Sequence, residues 1–481
     1  MKYKNIETKH EVIEYLQSYF LGIGFQKLKE LVIDKKNCVF CGTCTSLCPR
    51  ISINEKKLTL LDYDPECSTC FRYCPRIYFP KEMFEKELFH NGTKKSDTIG
   101  FYQKSIAAKS NDDNILKVAQ NGGVVSSLLI HALDTGLIDG VLLTDRDEKW
   151  YPKPTIARTS NEILLCTGSK YTIAPTLSTY KDAINELKIK KLAFVGMPCQ
   201  IQAVRKLQLF SPLSEEYGKF TLIIGLYCFS NYSYDLMKLF VQEKLGVSLS
   251  SVKKIDISHG SFYVYMNNGL IIVPIKETKK YIWPSCQYCK DYCAEFADIS
   301  VGSVGAFKND WNSVILRTDI GVELFNDAVE VKKIISSNKI DLSKIEKESI
   351  RKKTRVTQID KKILSTMQLF NISDFEIKTY MTLMSLGNAS ESKLSKIMKT
   401  EENVVRNILQ KLNQREWVIA ANGSYSAVSP TLVINNEIYK LKQNFFKSIE
   451  KLKTEVLSNL ESLFIQNNFN HVRHDDILDL V

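Results

Sequence analysis

The spacing of apolar residues predicts alternating strands and helices through the middle of the chain. Between residues 102 and 341, short apolar runs such as GVLLTD, KKLAFVG and TLIIGLY are separated by segments with helical spacing. Alternation of this kind is typical of packed α/β layers. We therefore predict a mixed α/β (α+β), multidomain protein whose largest part is an α/β domain over residues 100–341.

Apolar residues in front of this domain also recur at helical spacing. Residues 10–31 predict a helix with a break near Gly22 and Gly24, and we assign residues 1–30 to an N-terminal helical segment. Between residues 91 and 100 the sequence becomes polar and contains glycine, which predicts a linker before the α/β domain.

The pattern changes twice in the C-terminal part of the chain. Residues 342–362 are polar and basic, which predicts an exposed linker. Three helix-like segments then precede a hairpin signal at Asn422-Gly423, so we predict a winged helix-turn-helix domain at residues 363–430. Over residues 431–481, apolar residues every three or four positions predict a long amphipathic helix and tail, which suits a homodimer seam.

The predicted recognition helix of that domain carries both basic and acidic residues. Arg406 and Lys411 are placed to meet DNA phosphates or bases. Glu401, Glu402 and Glu416 lie in or beside the same helix, and winged helices also serve as protein docking modules. A DNA partner and a protein partner therefore both stay open.

Cysteine spacing gives the strongest chemical signal in the chain. Residues 38–75 hold seven of the 13 cysteines, as CVFCGTCTSLCP followed by CSTCFRYCP. The first half has the bacterial ferredoxin spacing C-x2-C-x2-C-x3-C-P, whose fourth cysteine binds the other cluster. When the second half is aligned backwards from its Cys-Pro pair, Asp64 stands where the first cysteine belongs. We predict a ferredoxin-type 4Fe-4S domain over residues 31–92.

The crossing rule assigns these ligands to two clusters. The first cluster takes a complete set of thiolates: Cys38, Cys41, Cys44 and Cys74. The second takes three thiolates and a candidate carboxylate: Cys48, Cys67, Cys70 and Asp64. With that carboxylate the second cluster is either 4Fe-4S or 3Fe-4S, and the alternative is that Asp64 only turns the chain before Pro65. Structural zinc is disfavoured, because zinc requires separate tetrahedral sets of four, whereas this stretch offers seven interlocked cysteines.

Four more cysteines follow at positions that suit a third cluster. Cys199 and Cys228 each end an apolar run, so both thiols would lie at one edge of a sheet. A third cluster follows if Cys286 and Cys289 of the CQYC segment fold back onto them. Taken singly, Cys199 and Cys228 are also compatible with buried, inert thiols, as is Cys166.

A double glycine marks a candidate phosphate site. In QNGGVVSSLLIHAL, Gly122 and Gly123 stand at the start of a predicted helix, where backbone amides and the helix dipole suit an anion. A double glycine is also common in tight turns, so the residues alone leave both interpretations open.

These pieces, taken in order, resemble a known family. NGGVVSSLL, GSKYT, GMPCQIQAV, GLYC and the CxxCxDxxAEFADISVG pattern occur in the order found in the beta subunits of coenzyme F420 hydrogenases and dehydrogenases. With the ferredoxin module in front, the resemblance covers about two-thirds of the chain. Residues 363–430 resemble the N-terminal domain of TrmB-like transcriptional regulators.

The resemblance implies cofactors and site residues. It implies FAD, hydride exchange between FAD and coenzyme F420, and a 4Fe-4S cluster on the matched cysteines Cys199, Cys228, Cys286 and Cys289. Carried over by motif, the residues around the flavin would be Asn121, Gly122, Gly123, Ser169, Lys170, Tyr171 and Lys276. The two lysines would stabilise a reduced flavin or the acidic tail of the deazaflavin. Cys293 is an extra thiol inside the family motif.

The chemistry of the carriers supports a relay. Two-electron hydride carriers cannot pass electrons directly to one-electron clusters, so a flavin must stand between them. We therefore predict an oxidoreductase that relays electrons through its clusters to or from ferredoxin or a partner subunit. Two alternatives stay open: a redox-sensing DNA-binding regulator, and an FAD and iron-sulfur reductase of another organic substrate.

Composition adds little to this choice. The 481 residues carry a formal net charge of +11, which suits an anionic cofactor, an acidic partner or nucleic acid without selecting one. The N-terminus is charged, and no apolar run approaches the roughly 18 residues of a membrane span. Thiols spaced for metal fit a reducing compartment, so we expect a cytoplasmic protein.

Overall fold

The computed structural model describes residues 22–54, 57–62, 64, 67–77, 79–90, 93–210, 218–355, 365–386, 388–421 and 423–468. These residues form two compact units that divide after residue 356. Most of the predicted N-terminal helix, together with Asn91, Asn422 and the end of the predicted basic linker, lies outside the described residues. Within the described part of the chain, no helix has the length and apolar character needed to cross a membrane.

The first unit begins with a small cysteine-rich module. Its helices are Phe25–Leu28, extended by the π-helical turn Lys29–Ile33, and then Thr43–Leu47, Thr69–Tyr73 and Lys81–Leu88. Strands β1 (Ile51–Asn54) and β2 (Lys57–Leu60) form an antiparallel hairpin between the two cysteine segments. The short helices Thr43–Leu47 and Thr69–Tyr73 each lie within one of those segments.

A hairpin occupies the place where a linker was expected. Strands β3 (Lys94–Ser96) and β4 (Gly100–Tyr102) pair in antiparallel fashion. Phe101 on β4 stacks on Phe89 at 5.0 Å between ring centroids. These ring and strand contacts order a segment whose polar composition had indicated a loop.

A mixed eight-stranded sheet forms the centre of the first unit, as the α/β prediction requires. The strands that follow in the chain are β5 (Lys104–Ser110), β6 (Gly140–Arg146), β7 (Pro152–Ala157), β8 (Lys191–Gly196), β9 (Lys219–Leu226), β10 (Val252–Ser258), β11 (Ser261–Met266), β12 (Gly269–Pro274), β13 (Ile299–Gly302), β14 (Asn312–Leu316) and β15 (Ile334–Ser337). The large sheet has the order β15-β5-β14-β13-β9-β8-β6-β7, and β10 to β12 form a separate antiparallel sheet. Strands β6, β8, β9 and β13 run parallel, so their carboxyl ends share one edge.

Helices cover the large sheet on both faces. They are Asp113–Val118, Val124–Asp134, Ser160–Leu165, Tyr180–Asn185, Pro198–Phe210 and Asp319–Glu330, with a 3-10 turn at Thr176–Thr179. The π-helical segment Leu236–Lys244 and the 3-10 turns Leu249–Ser251 and Ile275–Tyr281 pack with the separate sheet of β10 to β12, and a further 3-10 turn lies at Pro284–Tyr288. Leu192, Ile223 and Ile224 in the central strands are fully buried. Continuous burial of this kind is typical of parallel strands that are covered on both sides.

The cysteine-rich module shares its core with one face of the large sheet. Val39 and Phe71 of the module belong to the same buried cluster as Leu177, Phe194 and Phe220 of the α/β region. The module and the α/β region therefore form one packed body, although the sequence had suggested two domains joined by a linker.

The expected exposed linker from residue 342 is instead the helix Leu342–Arg355. Ile345, Ser349 and Lys352 are at most 1% exposed and line one face at helical spacing. The sequence did not predict this buried face, because two of its three residues are polar. The helix packs on the α/β region, and Ser349 donates a hydrogen bond to the carbonyl oxygen of Thr98.

The second unit contains the helices and the hairpin in the order that the sequence predicts. Its elements are the 3-10 turn Gln368–Phe370, helices Asp374–Leu386, Glu391–Met398 and Glu402–Gln414, strands β16 (Asn388–Ala389), β17 (Val418–Ala421) and β18 (Ser424–Ala427), and the helical segments Pro430–Lys451, Leu452–Leu457 and Ser458–Asn468. Trp417 is fully buried between helix and hairpin, and its ring meets Tyr380 edge-on at 5.0 Å.

Candidate functional site

The first predicted thiol set lines a single cavity. Its cysteines are Cys38, Cys41, Cys44 and Cys74. Apolar residues such as Leu28, Val32 and Leu58 complete the lining. Burial, followed by repulsion from neighbouring thiols, raises the pKa of Cys38 to about 12 and that of Cys74 to about 11. Four thiols crowded in an apolar cavity ionise only when a positively charged group binds among them.

The second predicted set has a similar arrangement but only three thiols. Burial raises the pKa of Cys70 to about 12, with further increases from Cys48 and Cys67. Asp64, the candidate fourth ligand, accepts a hydrogen bond from Arg50 Nη1 at 3.1 Å, and its carbonyl oxygen accepts one from the Cys67 amide at 3.3 Å. The structure therefore places Asp64 at the turn before Cys67, with its carboxylate on Arg50.

The third predicted set forms at the carboxyl edge of the large sheet. Cys199 follows β8 and Cys228 follows β9, so parallel pairing brings both to the same edge. Cys286 and Cys289 reach them from the 3-10 turn Pro284–Tyr288, and the Asn231 amide donates to Cys286 Sγ at 3.3 Å. Burial and then Cys289 raise the pKa of Cys199 well above its usual value. The four thiols thus come together from three separate segments.

The donors of the three sets are almost all thiols, and thiolates are the ligands that hold iron-sulfur clusters. No disulfide forms among the 13 cysteines. Within the described residues, no group of three or more His, Cys, Asp or Glu side chains has the geometry to hold a metal ion. A 4Fe-4S cube presents a different iron to each thiolate, so its ligands surround a volume instead of a point. The buried Nε atoms of Arg76 and Arg355 lack hydrogen-bond partners among the described atoms, which also suits the anionic sulfides of a cluster.

The first and third sets are joined by direct contacts. Trp283 stands just before the turn that carries Cys286, and its Nε1 donates to the carbonyl oxygen of Cys38 at 2.7 Å. The Arg76 guanidinium donates to the Ser285 carbonyl oxygen at 3.4 Å. The charge of Arg76 acts to lower the pKa of thiols in both sets.

A close backbone approach fixes the first set against the α/β region. Gly42 has a φ of 92°, and a Cβ there would stand 2.5 Å from the Ser178 amide nitrogen. The Leu177 amide donates to the Cys41 carbonyl oxygen at 2.9 Å. Only glycine fits between the two segments at this point.

All of the candidate flavin residues except Lys276 lie in two loops that hydrogen bonds connect. Gly123 has a φ of 69° and precedes the helix Val124–Asp134, and the side chain of Asn121 donates to the Asn309 carbonyl oxygen at 3.1 Å. The second loop contains Ser169, whose amide donates to Gln120 Oε1 at 3.2 Å. The turn around Gly122 and the loop of residues 168–171 therefore face the same space.

The glycines of these two loops differ in the room around them. A Cβ at Gly122 would stand 2.8 Å from Asn312 Oδ1, whereas a Cβ at Gly168 would meet nothing nearer than 3.7 Å. The first glycine allows tight backbone packing, and the second leaves the loop open. Tyr171 has a φ of 57°, an uncommon conformation for a large side chain that often marks a functional loop.

The two candidate lysines have different environments. Lys170 is buried, and its ammonium group donates to the carbonyl oxygens of Cys166, Thr167 and Gly168. Burial lowers the pKa of Lys170 to about 8. The hydrogen-bond donors of Lys170 are thus engaged with the backbone of its own loop. Lys276 is exposed on the 3-10 turn Ile275–Tyr281.

Two residues beside the flavin loops were not predicted. Gln120 donates to Asp256 Oδ1 at 3.0 Å, and Tyr171 donates to the same oxygen at 3.2 Å. Lys254 Nζ donates to the Gln120 carbonyl oxygen at 2.8 Å. Gln120 immediately precedes the NGG motif, so it could have been named as a candidate site residue from the sequence. Asp256 is more than 80 residues from either loop, and no local pattern marks it.

Two further cysteines are buried away from the three thiol sets. Cys293 is fully buried, and its Sγ lies 3.5 Å from the Ile99 carbonyl oxygen and 3.3 Å from an Arg317 nitrogen. Cys166 is buried, and burial raises its pKa to about 11. Neither thiol belongs to the three sets.

In the second unit, Arg406 and Lys411 lie on the helix Glu402–Gln414. Arg406 pairs with Glu391 at 2.8 Å and with Glu402 at 3.7 Å. Lys411 is exposed. Glu391, which was not singled out from the sequence, is thus the nearer partner of this candidate DNA contact, and Glu402 is the more distant one.

Comparison with known families matches three segments of the chain. Residues 105–181 match the family model for the N-terminal part of the coenzyme F420 hydrogenase/dehydrogenase beta subunit, and residues 189–341 match the model for its C terminus. Residues 367–435 match the sugar-specific transcriptional regulator TrmB. These matches confirm the resemblances found from the motifs.

Individual proteins agree with the family matches. The chain is 39% identical over 264 residues to the coenzyme F420 hydrogenase subunit beta of Methanothermobacter thermautotrophicus, covering 53% of this chain and 93% of that protein. It is 35% identical over 336 residues to the coenzyme F420-dependent sulfite reductase of Methanocaldococcus jannaschii, covering 66% of this chain and 49% of that protein.

A solved structure shares the fold of the first unit. It is a chain of the F420-reducing [NiFe] hydrogenase complex from Methanosarcina barkeri, with a TM-score of 0.53 and 35% identity, covering 58% of this chain and 97% of that chain. The mixed α/β architecture with one large sheet agrees with this likeness. The chain therefore belongs to the coenzyme F420 hydrogenase/dehydrogenase beta subunit family, a family of oxidoreductases.

Proposed function

We propose that the chain exchanges hydride between coenzyme F420 and FAD and relays electrons through three iron-sulfur clusters to or from ferredoxin or a partner subunit. One observation carries the proposal: four thiols from three chain segments converge at the sheet edge that also holds the two flavin loops. The names of two relatives, coenzyme F420 hydrogenase subunit beta and coenzyme F420-dependent sulfite reductase, support the choice of substrate.

The thiol sets define an order for the relay. The third set, Cys199, Cys228, Cys286 and Cys289, lies at the carboxyl edge of the large sheet, which is where open α/β sheets bind their ligands. The first set, Cys38, Cys41, Cys44 and Cys74, is next, through Trp283 and Arg76. The second set, Cys48, Cys67 and Cys70 with Asp64, adjoins the first, since Cys74 also raises the pKa of Cys70.

The residues of the flavin loops bind and orient the cofactor. When bound, FAD takes up hydride as an electron pair and releases the electrons singly to a cluster. We assign the backbone around Gly122 and Gly123 to the phosphates of FAD, and the loop of Ser169, Lys170 and Tyr171 to the flavin edge. Asn121 is assigned to the same region, and exposed Lys276 to the acidic tail of the deazaflavin.

The test combines cofactor content with substrate turnover. The chain is purified without oxygen, iron and FAD are assayed, and reduced coenzyme F420 is added while its oxidation is followed by absorbance with a one-electron acceptor present. We expect FAD, more than two clusters per chain and steady turnover. A fully loaded protein that leaves reduced coenzyme F420 unchanged would favour a reductase of another organic substrate, and absence of FAD would refute the proposal.

A matched variant separates ligand cysteines from core cysteines. Cys228→Ala should lose about four irons per chain and its electron transfer to the acceptor, while FAD and the other clusters remain. Cys166→Ala removes a buried thiol outside the three sets and should keep all of its iron. Equal iron in the two variants would show that Cys228 only fills the core.

The match to TrmB supports a second proposal, that the C-terminal unit binds DNA and the chain senses redox state. Lys411 is an exposed basic residue on the candidate recognition helix, and we choose it for the test because Arg406 is already paired with Glu391. Binding of labelled genomic DNA fragments by the full chain should weaken in Lys411→Glu and should change when the clusters are reduced. Binding that responds to neither change would leave a protein docking role for this unit.

We also propose a homodimer through the C-terminal helix. Tyr439, Phe445 and Phe464 are each more than 60% exposed along its length. Burial of such rings against a second copy would add about 1.5–3 kcal/mol per fully buried side chain. Light scattering of the full chain and of a Phe445→Glu variant tests this, because only the former should be dimeric.

A further inference from the structure

One lysine of the helix Leu342–Arg355 reaches the third thiol set. Lys352 is 1% exposed, and its ammonium group donates to the carbonyl oxygens of Cys228 and Asp291, the second at 2.7 Å. The two contacts of this ammonium group therefore join the two chain segments that present three of the four thiols.

Arg355, near the end of the same helix, lies beside the same thiols. Its guanidinium donates to the Phe229 carbonyl oxygen at 3.0 Å, to the Ser230 hydroxyl at 2.8 Å and to the Cys286 carbonyl oxygen. Its Nε is buried without a hydrogen-bond partner among the described atoms. The helix thus brings two positive charges to one set of cysteines.

The burial of Lys352 requires a compensating negative charge. A buried, uncompensated ammonium group costs several kcal/mol. The groups that would carry this charge are Cys289, Cys228 and Cys199, when they bind a cluster as thiolates, and the carboxylate of Asp291. Hydrogen bonds to two carbonyl oxygens require only a neutral donor. They therefore do not account for a positive charge buried at this position.

We propose that Lys352 is a positioning residue of the third cluster and raises the reduction potential of that cluster. This inference rests on the proposed function. Reduction adds one negative charge to a cluster, and a buried ammonium group in contact with its ligands stabilises that charge, because the interior screens it weakly. The helix lies beyond both beta subunit family models, which match residues 105–181 and 189–341.

The consequence concerns the first step of the relay. The third set lies at the same sheet edge as the flavin loops, so its cluster is the first acceptor of electrons from the flavin. A higher potential at this cluster draws electrons from the flavin into the relay. Loss of the charge at Lys352 would leave the binding residues intact and weaken this driving force.

The experiment is a redox titration of the full-length chain, purified without oxygen and followed by EPR. Cys228→Ala identifies the titration step that belongs to the third cluster. We expect Lys352→Met to retain its iron and FAD while this step shifts downward by about tenfold in the reduction equilibrium constant, or about 59 mV for a one-electron couple. Lys352→Arg keeps the charge and should restore most of the potential.

The control is a lysine on the exposed face of the same helix. Lys347→Gln should leave every step unchanged. An unchanged third step in an iron-replete Lys352→Met protein would overturn the proposal, as would an equal shift in Lys347→Gln. If Lys352→Met does not fold, Arg355→Gln decides, since a smaller downward shift supports the proposal and no shift overturns it. A wild-type chain without clusters would refute the proposed function instead.

Discussion

The indole nitrogen of Trp283 donates a 2.7 Å hydrogen bond to the carbonyl oxygen of Cys38. Cys38 belongs to the first thiol set, and Trp283 is the residue from which the turn with Cys286 of the third set begins. Phe40 packs on the same indole, with 5.5 Å between ring centroids. The Trp283–Cys38 hydrogen bond, together with the three peptide bonds from Trp283 to Cys286, therefore forms a short connection between two candidate clusters.

Trp283→Phe should slow electron transfer between those clusters. The phenyl ring keeps the packing and removes the hydrogen bond, at a cost of about 1 kcal/mol in stability. Iron and FAD should stay at wild-type levels. Rapid mixing with reduced coenzyme F420 should show normal flavin reduction followed by slower cluster reduction.

Trp150→Phe is the matched control, because Trp150 also donates its Nε1 to a backbone carbonyl oxygen, that of Val252, at 3.0 Å. No cysteine takes part in that bond. If both variants slow cluster reduction equally, or if neither does, the Trp283 contact has no role in the relay.

Gly123→Ala should lower FAD content. Gly123 has a φ of 69°, and an added Cβ would stand 2.8 Å from the Ile115 side chain, so the turn before the helix Val124–Asp134 must move. Gly136→Ala provides the control, because Gly136 has the same φ at the other end of that helix but no atom within 4 Å of an added Cβ.

Both glycine variants should lose about 1–2 kcal/mol of stability from the left-handed conformation. Only Gly123→Ala should also lose more than about half of its FAD, measured by absorbance of the purified protein. Equal flavin content in the two variants would remove this turn from the cofactor site.

The sequence grouped the thiols as the structure does because each pattern has a local or topological cause. The ferredoxin spacing fixes the first two sets within 40 residues, and the ends of adjacent parallel strands bring Cys199 and Cys228 together. Asp256 could not be found in this way, because it reaches Gln120 and Tyr171 only through the fold. Helix Leu342–Arg355 was mistaken for a linker because its buried face carries Ser349 and Lys352.

Lys170 should make stability depend on pH. Burial lowers its pKa from 10.5 to about 8, so between these values the unfolded chain holds a proton that the folded chain has released. Stability should therefore rise as the pH increases from 8 to 10.5, by up to about 3 kcal/mol. Below pH 8 the lysine is protonated in both the folded and the unfolded chain, so it does not make the free energy of unfolding depend on pH.

The measurement compares thermal unfolding of the wild type with that of Lys170→Met at several pH values. The difference between the two proteins should grow above pH 8 in favour of the wild type. Lys276→Met, at an exposed lysine, controls for the loss of one positive charge. A constant difference between wild type and Lys170→Met would show that Lys170 titrates normally.

The end of the redox unit should lie after helix Leu342–Arg355. A chain ending at residue 356 should retain all clusters and turnover, because the compact unit divides there. A chain ending at residue 341 should lose activity, since it lacks the whole buried helix face of Ile345, Ser349 and Lys352 and not only the Lys352 ammonium group. Each buried polar group left unpaired costs about 1–3 kcal/mol, and the apolar packing of Ile345 is lost as well. Equal activity of the two chains would show that the helix is dispensable.

Asp64 should make the second cluster the labile one. Its carboxylate is held by Arg50 at 3.1 Å, but both side chains are about 40% exposed, and such pairs contribute at most about 1 kcal/mol. The carboxylate is therefore able to exchange Arg50 for iron. As a hard ligand it binds iron less firmly than a thiolate among soft sulfur donors.

Oxidation should then convert part of the second cluster to a three-iron form with an EPR signal, and Asp64→Cys should abolish that signal by completing the set of Cys48, Cys67 and Cys70. Asp62→Cys adds a thiol two residues away, beside the same Arg50, and should leave the signal unchanged. A three-iron signal that is equally strong in wild type and Asp64→Cys, or absent from both, would mean that Asp64 serves only to pair with Arg50 and turn the chain. The position that breaks the ferredoxin spacing would then have no part in cluster chemistry.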